Sequence, residues 1–183
     1  MALAKSNTND LASLFKEGFF RIPSYQRRYS WDERQHKDLF NDLLEAFKTK
    51  TVHFLGTLSL QLIETKGFSS TYNIIDGQQR FTTLMILYSE LAKKINIPEY
   101  KAQLKKNEVY FLEPLNKADS VFFHNILDGV AANPVTNSQQ LMKEASVLFA
   151  KSIYKFSKVE AQDFCDFILN NGHFRIYLVE DLS

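Results

Sequence analysis

A single cysteine, Cys165, in 183 residues leaves no partner for an intrachain disulfide, so a cystine-stapled scaffold is excluded and a reducing compartment fits. Proline and glycine are scarce, at 4 and 6 residues, which rules out collagen-like and Pro/Gly-rich disordered chains and makes each glycine a marked position. Neither sign of charge prevails. The 22 Lys and Arg against 21 Asp and Glu leave a formal +1, so any nucleic-acid contact must come from a local cluster. No apolar run reaches membrane length and no apolar leader opens the chain, from which we expect a soluble, cytoplasmic protein. The four histidines (His36, His53, His124, His173) have no zinc-ligand spacing, and neither a Ser-His-Asp nor a Cys-His order emerges. Internal repeats and low-complexity tracts are absent.

What is present is apolar and aromatic: 45% hydrophobic and 14% aromatic residues, enough for one well-buried core. In chain order, Asn9 or Asp10 caps a short helix carrying Leu11, Leu14 and Phe15, and Phe19 to Ile22 read as a strand. Ser30 or Asp32 caps a second helix with Leu39, Phe40, Leu43, Leu44 and Phe47 on one face. From Phe54 the period becomes two, with Phe54, Gly56, Leu58, Leu60 and Leu62 on the inner side. A turn at 66–70 then returns the chain as a second strand, Thr71 to Ile75. A long helix follows, with Phe81, Leu84, Met85, Tyr88, Leu91, Ala92 and Ile95 in a broad stripe, and it should be the most buried helix. Pro98 stops it. A short strand around 109–112 precedes helices over 118–127, 138–156 and 159–169, and His173 to Glu180 alternate as a closing strand. That late strand suggests a chain boundary or a further domain downstream. The expected class is α+β: a small mixed sheet with packed helices, then a helical cluster, with residues 1–115 as the core and 116–183 as an extension of the same domain.

The corner Ile75-Asp76-Gly77-Gln78-Gln79-Arg80 joins the second hairpin strand to the long helix. Asp76 stands where an N-cap belongs and Gln79 three residues on completes an Asp-x-x-Gln capping box, so both have structural jobs available. Capping does not account for Gly77 at the first helical position, nor for Gln78 and Arg80 in the same turn. A glycine allows close approach, free N–H groups and the helix dipole favour an anion, and Arg80 offers a planar fork for phosphate oxygens. Asp76 is a candidate ligand for a divalent metal. The spacing is neither that of a Walker A loop nor that of a Rossmann fingerprint.

Of six arginines, four (Arg21, Arg27, Arg28, Arg34) fall in one stretch and a fifth is Arg80, while surface charge elsewhere is lysine. They interleave with Tyr25, Tyr29 and Trp31, a mixture that grips phosphates and stacks on bases. The competing reading is a cation–π cluster pinning the loop to the core, with Trp31 its first member. Cys165 on an apolar helix face reads as a buried thiol.

Three blocks, Ile22-Pro23-x-Tyr25-Gln26-Arg27-x-Tyr29-x-Trp31, Phe54-Leu55-Gly56-Thr57 and Ile74 to Leu84, resemble in residues and order the N-terminal domain of GmrSD-type restriction endonucleases. The resemblance implies a ParB/sulfiredoxin-like fold that binds or hydrolyses a nucleoside triphosphate with Mg²⁺. On it, Asp76, Gln79 and Arg80 are the catalytic candidates, with Asp76 also the metal ligand. Gly77, Gln78, Tyr25, Gln26 and Arg27 hold the nucleotide, and Arg28 and Tyr29 touch nucleic acid. It also implies a sensor of modified DNA in phage defence, coupled to a His-Asn-His-type nuclease domain that has no counterpart in these residues. A sulfiredoxin-type redox role fails for want of a cysteine near the phosphate loop. The alternative is a non-catalytic DNA-binding or adaptor module; a self-sufficient nuclease fits least, since Asp76 has no evident acidic partners.

Overall fold

The computed structural model describes residues 6–179, so Glu180, expected to end the last strand, lies outside the described residues. Asp10 caps α1 (Leu11–Glu17), its carboxylate accepting from the Ser13 N–H at 2.7 Å, and Asp32 caps α2 (Glu33–Thr49) in a capping box with Gln35. Before and between them run β1 (Ser6–Asp10), which the sequence reading does not foresee, and β2 (Gly18–Ile22). The hairpin is β3 (His53–Lys66) with β4 (Ser69–Asp76), leading directly into α3 (Gln78–Ile95). A short α4 (Pro98–Ala102), with its proline at the first turn where the missing N–H costs nothing, follows unexpectedly. Then come β5 (Lys105–Lys106), β6 (Val109–Tyr110), β7 (Leu112–Pro114), α5 (Lys117–Asp128), α6 (Asn137–Ser152), α7 (Lys158–Asn171) and β8 (Gly172–Leu178). Helix α6 stops at Ser152, short of the expected Phe156.

The class is α+β. Six strands form one mixed sheet in the order β1-β8-β3-β4-β2-β7, with β5 and β6 a separate ribbon. Strand β8 lies between β1, which it pairs antiparallel, and β3, which it pairs parallel, so residues beyond 116 are built into the sheet of the first half. Helix α3 packs under the sheet and against α5, α6 and α7, and its residues from Phe81 to Ala92 are all buried, polar ones included. An amphipathic stripe has become a helix enclosed on all sides.

Two details of the hairpin correct the sequence reading. Alternation placed Phe54 inward, yet Phe54 is 59% exposed and Leu55 is buried beside Leu58. The phase slips at Gly56, whose φ of +103° accompanies a register shift against β8 between Phe54 and Gly56. Leu62 is exposed because this end of the hairpin projects past the core. The second correction concerns the cap of α3. Gly77, at φ +97°, is the N-cap residue and no side chain caps the helix, so Asp76 and Gln79 do not form a capping box. A left-handed residue turns the strand end so that Asp76 faces solvent as the last residue of β4. A Cβ at Gly77 would stand 2.7 Å from the Thr57 carbonyl oxygen, so β3 also demands glycine there.

Candidate nucleotide-binding corner

Residues two apart on an α-helix point about 160° away from each other, so Gln78 and Arg80 leave the first turn of α3 on opposite sides. The structure uses that divergence. Gln78 and Gln79 face a cleft walled by the loop 23–31, the end of β7 and the start of α5; Arg80 enters a different pocket beside Trp31.

The cleft is narrow, with an open volume of about 30 Å³. Gln26 closes one end, its Nε2 donating to the Ile75 carbonyl at 3.1 Å, and so ties the loop to the strand that precedes the corner. Arg27 reaches the cleft with an exposed guanidinium and, among the described residues, forms no ion pair. Tyr25 is 72% exposed. Gln78 is 8% exposed, and its Oε1 is buried with no hydrogen-bond partner. An unpaired buried amide oxygen is costly.

Gln79 is a clamp. Its Oε1 accepts from the Ser30 backbone N–H at 2.8 Å and its Nε2 donates to the Arg28 carbonyl at 3.2 Å, bolting the loop onto α3. Both ends of this amide, expected to be catalytic, are occupied in holding the loop. Arg28 and Tyr29, expected to touch nucleic acid, are also committed to the fold. Arg28 forms a two-pronged ion pair with Asp119 on α5, Nε to Oδ2 at 2.8 Å and Nη2 to Oδ1 at 2.6 Å, and the carboxylate also receives Ser138 Oγ at 3.3 Å. This partnership holds the guanidinium pKa above its ordinary value. Tyr29 is 6% exposed, with its hydroxyl between His36 Nε2 (2.8 Å) and Thr83 Oγ1 (2.6 Å). Burial pushes its phenol pKa up, and no face remains for a base to stack on.

Arg80 donates from Nη1 to the Leu55 carbonyl at 2.6 Å and lies over the Trp31 ring, 5.4 Å from its centroid. The bulge in β3 has its reason here. A Cβ at Gly56 would stand 2.2 Å from Nη1, so only glycine leaves room for the guanidinium. Its pKa is lowered by burial, an effect the Asp42 carboxylate partly offsets. Arg80 and Gln78, expected to share one phosphate site, therefore line different pockets. No sequence signal distinguishes the two sides except the two-residue spacing itself. Among the described residues no three Asp, Glu, His or Cys side chains converge as a metal would need. Nor is any helix among them long and apolar enough to cross a membrane.

An α+β domain with a strand–glycine–helix corner, clamped by a Tyr-Gln-Arg loop, is the class these elements define. The chain belongs to the family of the GmrSD restriction endonuclease N-terminal domain, whose family model matches residues 8–181. No curated protein matches the chain.

Proposed function

We propose that this chain is the regulatory domain of a modification-dependent DNA restriction system, and that the cleft between the loop 23–31 and the start of α3 binds a nucleoside triphosphate. The observation that carries the reading is the buried, unpaired Oε1 of Gln78 beside the free guanidinium of Arg27 at the N-terminus of an 18-residue helix. The first N–H groups of α3 have no partner within the helix and, with Arg27, suit an anion. A carbonyl oxygen repels phosphate but accepts from a sugar hydroxyl or a base N–H, so the pair of groups favours a nucleotide over a bare phosphate. Asp76, exposed at the strand end, is the residue here that fits Mg²⁺, sharing it with water and the triphosphate's own oxygens. The metal would neutralise phosphate charge. Of the described charged groups lining the cleft, Arg27 is the one free to act on a phosphate, because Arg28 is paired with Asp119, and Gln79 and Arg80 are engaged elsewhere. A nuclease of the His-Asn-His type is the partner that such a regulator would control.

Calorimetry with each of the four ribonucleoside triphosphates and Mg²⁺ tests the proposal. We expect saturable binding to at least one, weakened at least tenfold by Arg27→Ala and by Gln78→Ala; absence of binding to all four overturns it. Arg27 and Tyr25, both exposed, favour as second reading a non-catalytic DNA-binding module. Tight duplex binding that falls steeply with salt, without nucleotide binding, would select it.

A further inference from the structure

Across the corner from the cleft, Arg80 lines a pocket of about 190 Å³ with Trp31, Asp38, Asp42, His53 and Phe54. That is smaller than a drug-sized site, roughly 300–1,000 Å³, and suits one small planar group. Its composition is unusual for a surface crevice. Asp38 and Asp42 stand one turn apart on α2, so both carboxylates overlook one side. Phe54 is turned outward by the bulge at Gly56, and Trp31 is half-buried. Among the described residues Arg80 forms no ion pair, and its one hydrogen bond, to Leu55, uses Nη1 alone. Asp42 likewise has no ion pair, and the Arg34–Asp38 pair is long, at 4.0 Å, and exposed.

Charge narrows the ligand. Burial lowers the pKa of His53, leaving it neutral at pH 7, so two carboxylates outweigh one guanidinium and disfavour a phosphate. A cationic ligand would meet Arg80. What fits both signs is a neutral, flat group with acceptors along one edge and donors along the next, able to lie against aromatic rings. Guanine has this pattern: O6 and N7 accept from arginine, and the adjoining N1–H and exocyclic amino group donate to a carboxylate. We propose that this pocket binds a guanine base, with Arg80, held over Trp31, on the acceptor edge, Asp42 on the donor edge, and the outward-turned Phe54 against a face.

Trp31 is the only tryptophan of the chain and so reports directly on the pocket. Titrating guanosine, which has no phosphate for the cleft on the other side, should give a saturable change in Trp31 fluorescence. Inosine, which lacks the exocyclic amino group, should bind roughly tenfold more weakly, the loss of one charge-assisted hydrogen bond. Asp42→Asn should abolish that preference, whereas Arg27→Ala should leave it unchanged. Asp42 is exposed, so the variant is expected to fold, checked by an unchanged thermal midpoint. No saturable change with guanosine, equal binding of inosine, or a preference that survives Asp42→Asn overturns the proposal. Because nucleosides carry no phosphate, that failure would leave the triphosphate cleft standing, and the reverse holds as well.

Discussion

Gly56 and Arg80 make one structural unit, and a double-mutant cycle between them measures it. Gly56→Ala puts a methyl group where Nη1 now lies, 2.2 Å from the built Cβ, at a φ of +103°. The backbone conformation alone costs about 1–2 kcal/mol for a residue with a Cβ. The guanidinium is flexible enough to move aside, but only by giving up the Leu55 carbonyl and the Trp31 face. A hydrogen bond from a charged donor contributes about 1.5–3 kcal/mol and an arginine over tryptophan about 0.5–1 kcal/mol, together about 2–4 kcal/mol. Gly56→Ala should therefore destabilise by about 3–6 kcal/mol and Arg80→Ala by about 2–4 kcal/mol. In the double variant the arginine is already gone, so only the backbone cost is added and the total stays near 3–6 kcal/mol. The coupling is then about 2–4 kcal/mol, read from urea unfolding at constant m-value. Strict additivity of the two substitutions would refute the argument that the bulge exists to admit Arg80.

Two further expectations concern the loop and its helix. Gln79→Ala removes the clamp on residues 28–30 and should cost about 1.5–3 kcal/mol in denaturant unfolding while weakening nucleotide binding through loop disorder; unchanged stability would refute the clamp. His36 is fully buried beside Tyr29 and Phe149, and burial lowers its pKa more than the charges of Asp32 and Glu144 raise it. The unfolded chain thus binds this proton more readily. Stability from His36 is fully present above its ordinary pKa of 6.5 and declines as pH falls below it, so the thermal midpoint should drop between about pH 7.5 and 5.5 and drop less in His36→Gln.

How much of this was legible in the sequence depends on the range of the contact. The caps Asp10 and Asp32, the turn at Gly67-Phe68 and the stripe of α3 were readable because each is fixed by neighbours within one or two turns. The phase of β3 was not, since one glycine whose partner lies in α3 shifts it by a residue. The corner is legible as a unit, but the divergence of Gln78 and Arg80 follows from helical geometry and not from residue type. Arg28 and Tyr29 looked available for a ligand because their partners, Asp119 and Thr83, are distant in sequence. Cys165 was read as a buried thiol and is one, with its pKa pushed up by burial, because an apolar helix face is a local signal.

The position of β8 bears on how the chain reaches its fold. Ser6 pairs with Tyr177 and Leu60 with Leu178, so the strand between β1 and β3 is made from residues far along the sequence. Until residues 172–178 have been synthesised, β3 has an open edge and β1 has no partner. Closing contacts of such separation costs loop entropy before burial returns anything, which makes folding slow and strongly cooperative. Cutting after residue 115 would remove the strand that joins β1 to β3, and the cleft at Gln78 would lose the wall made by Asn116, Asp119 and Met142.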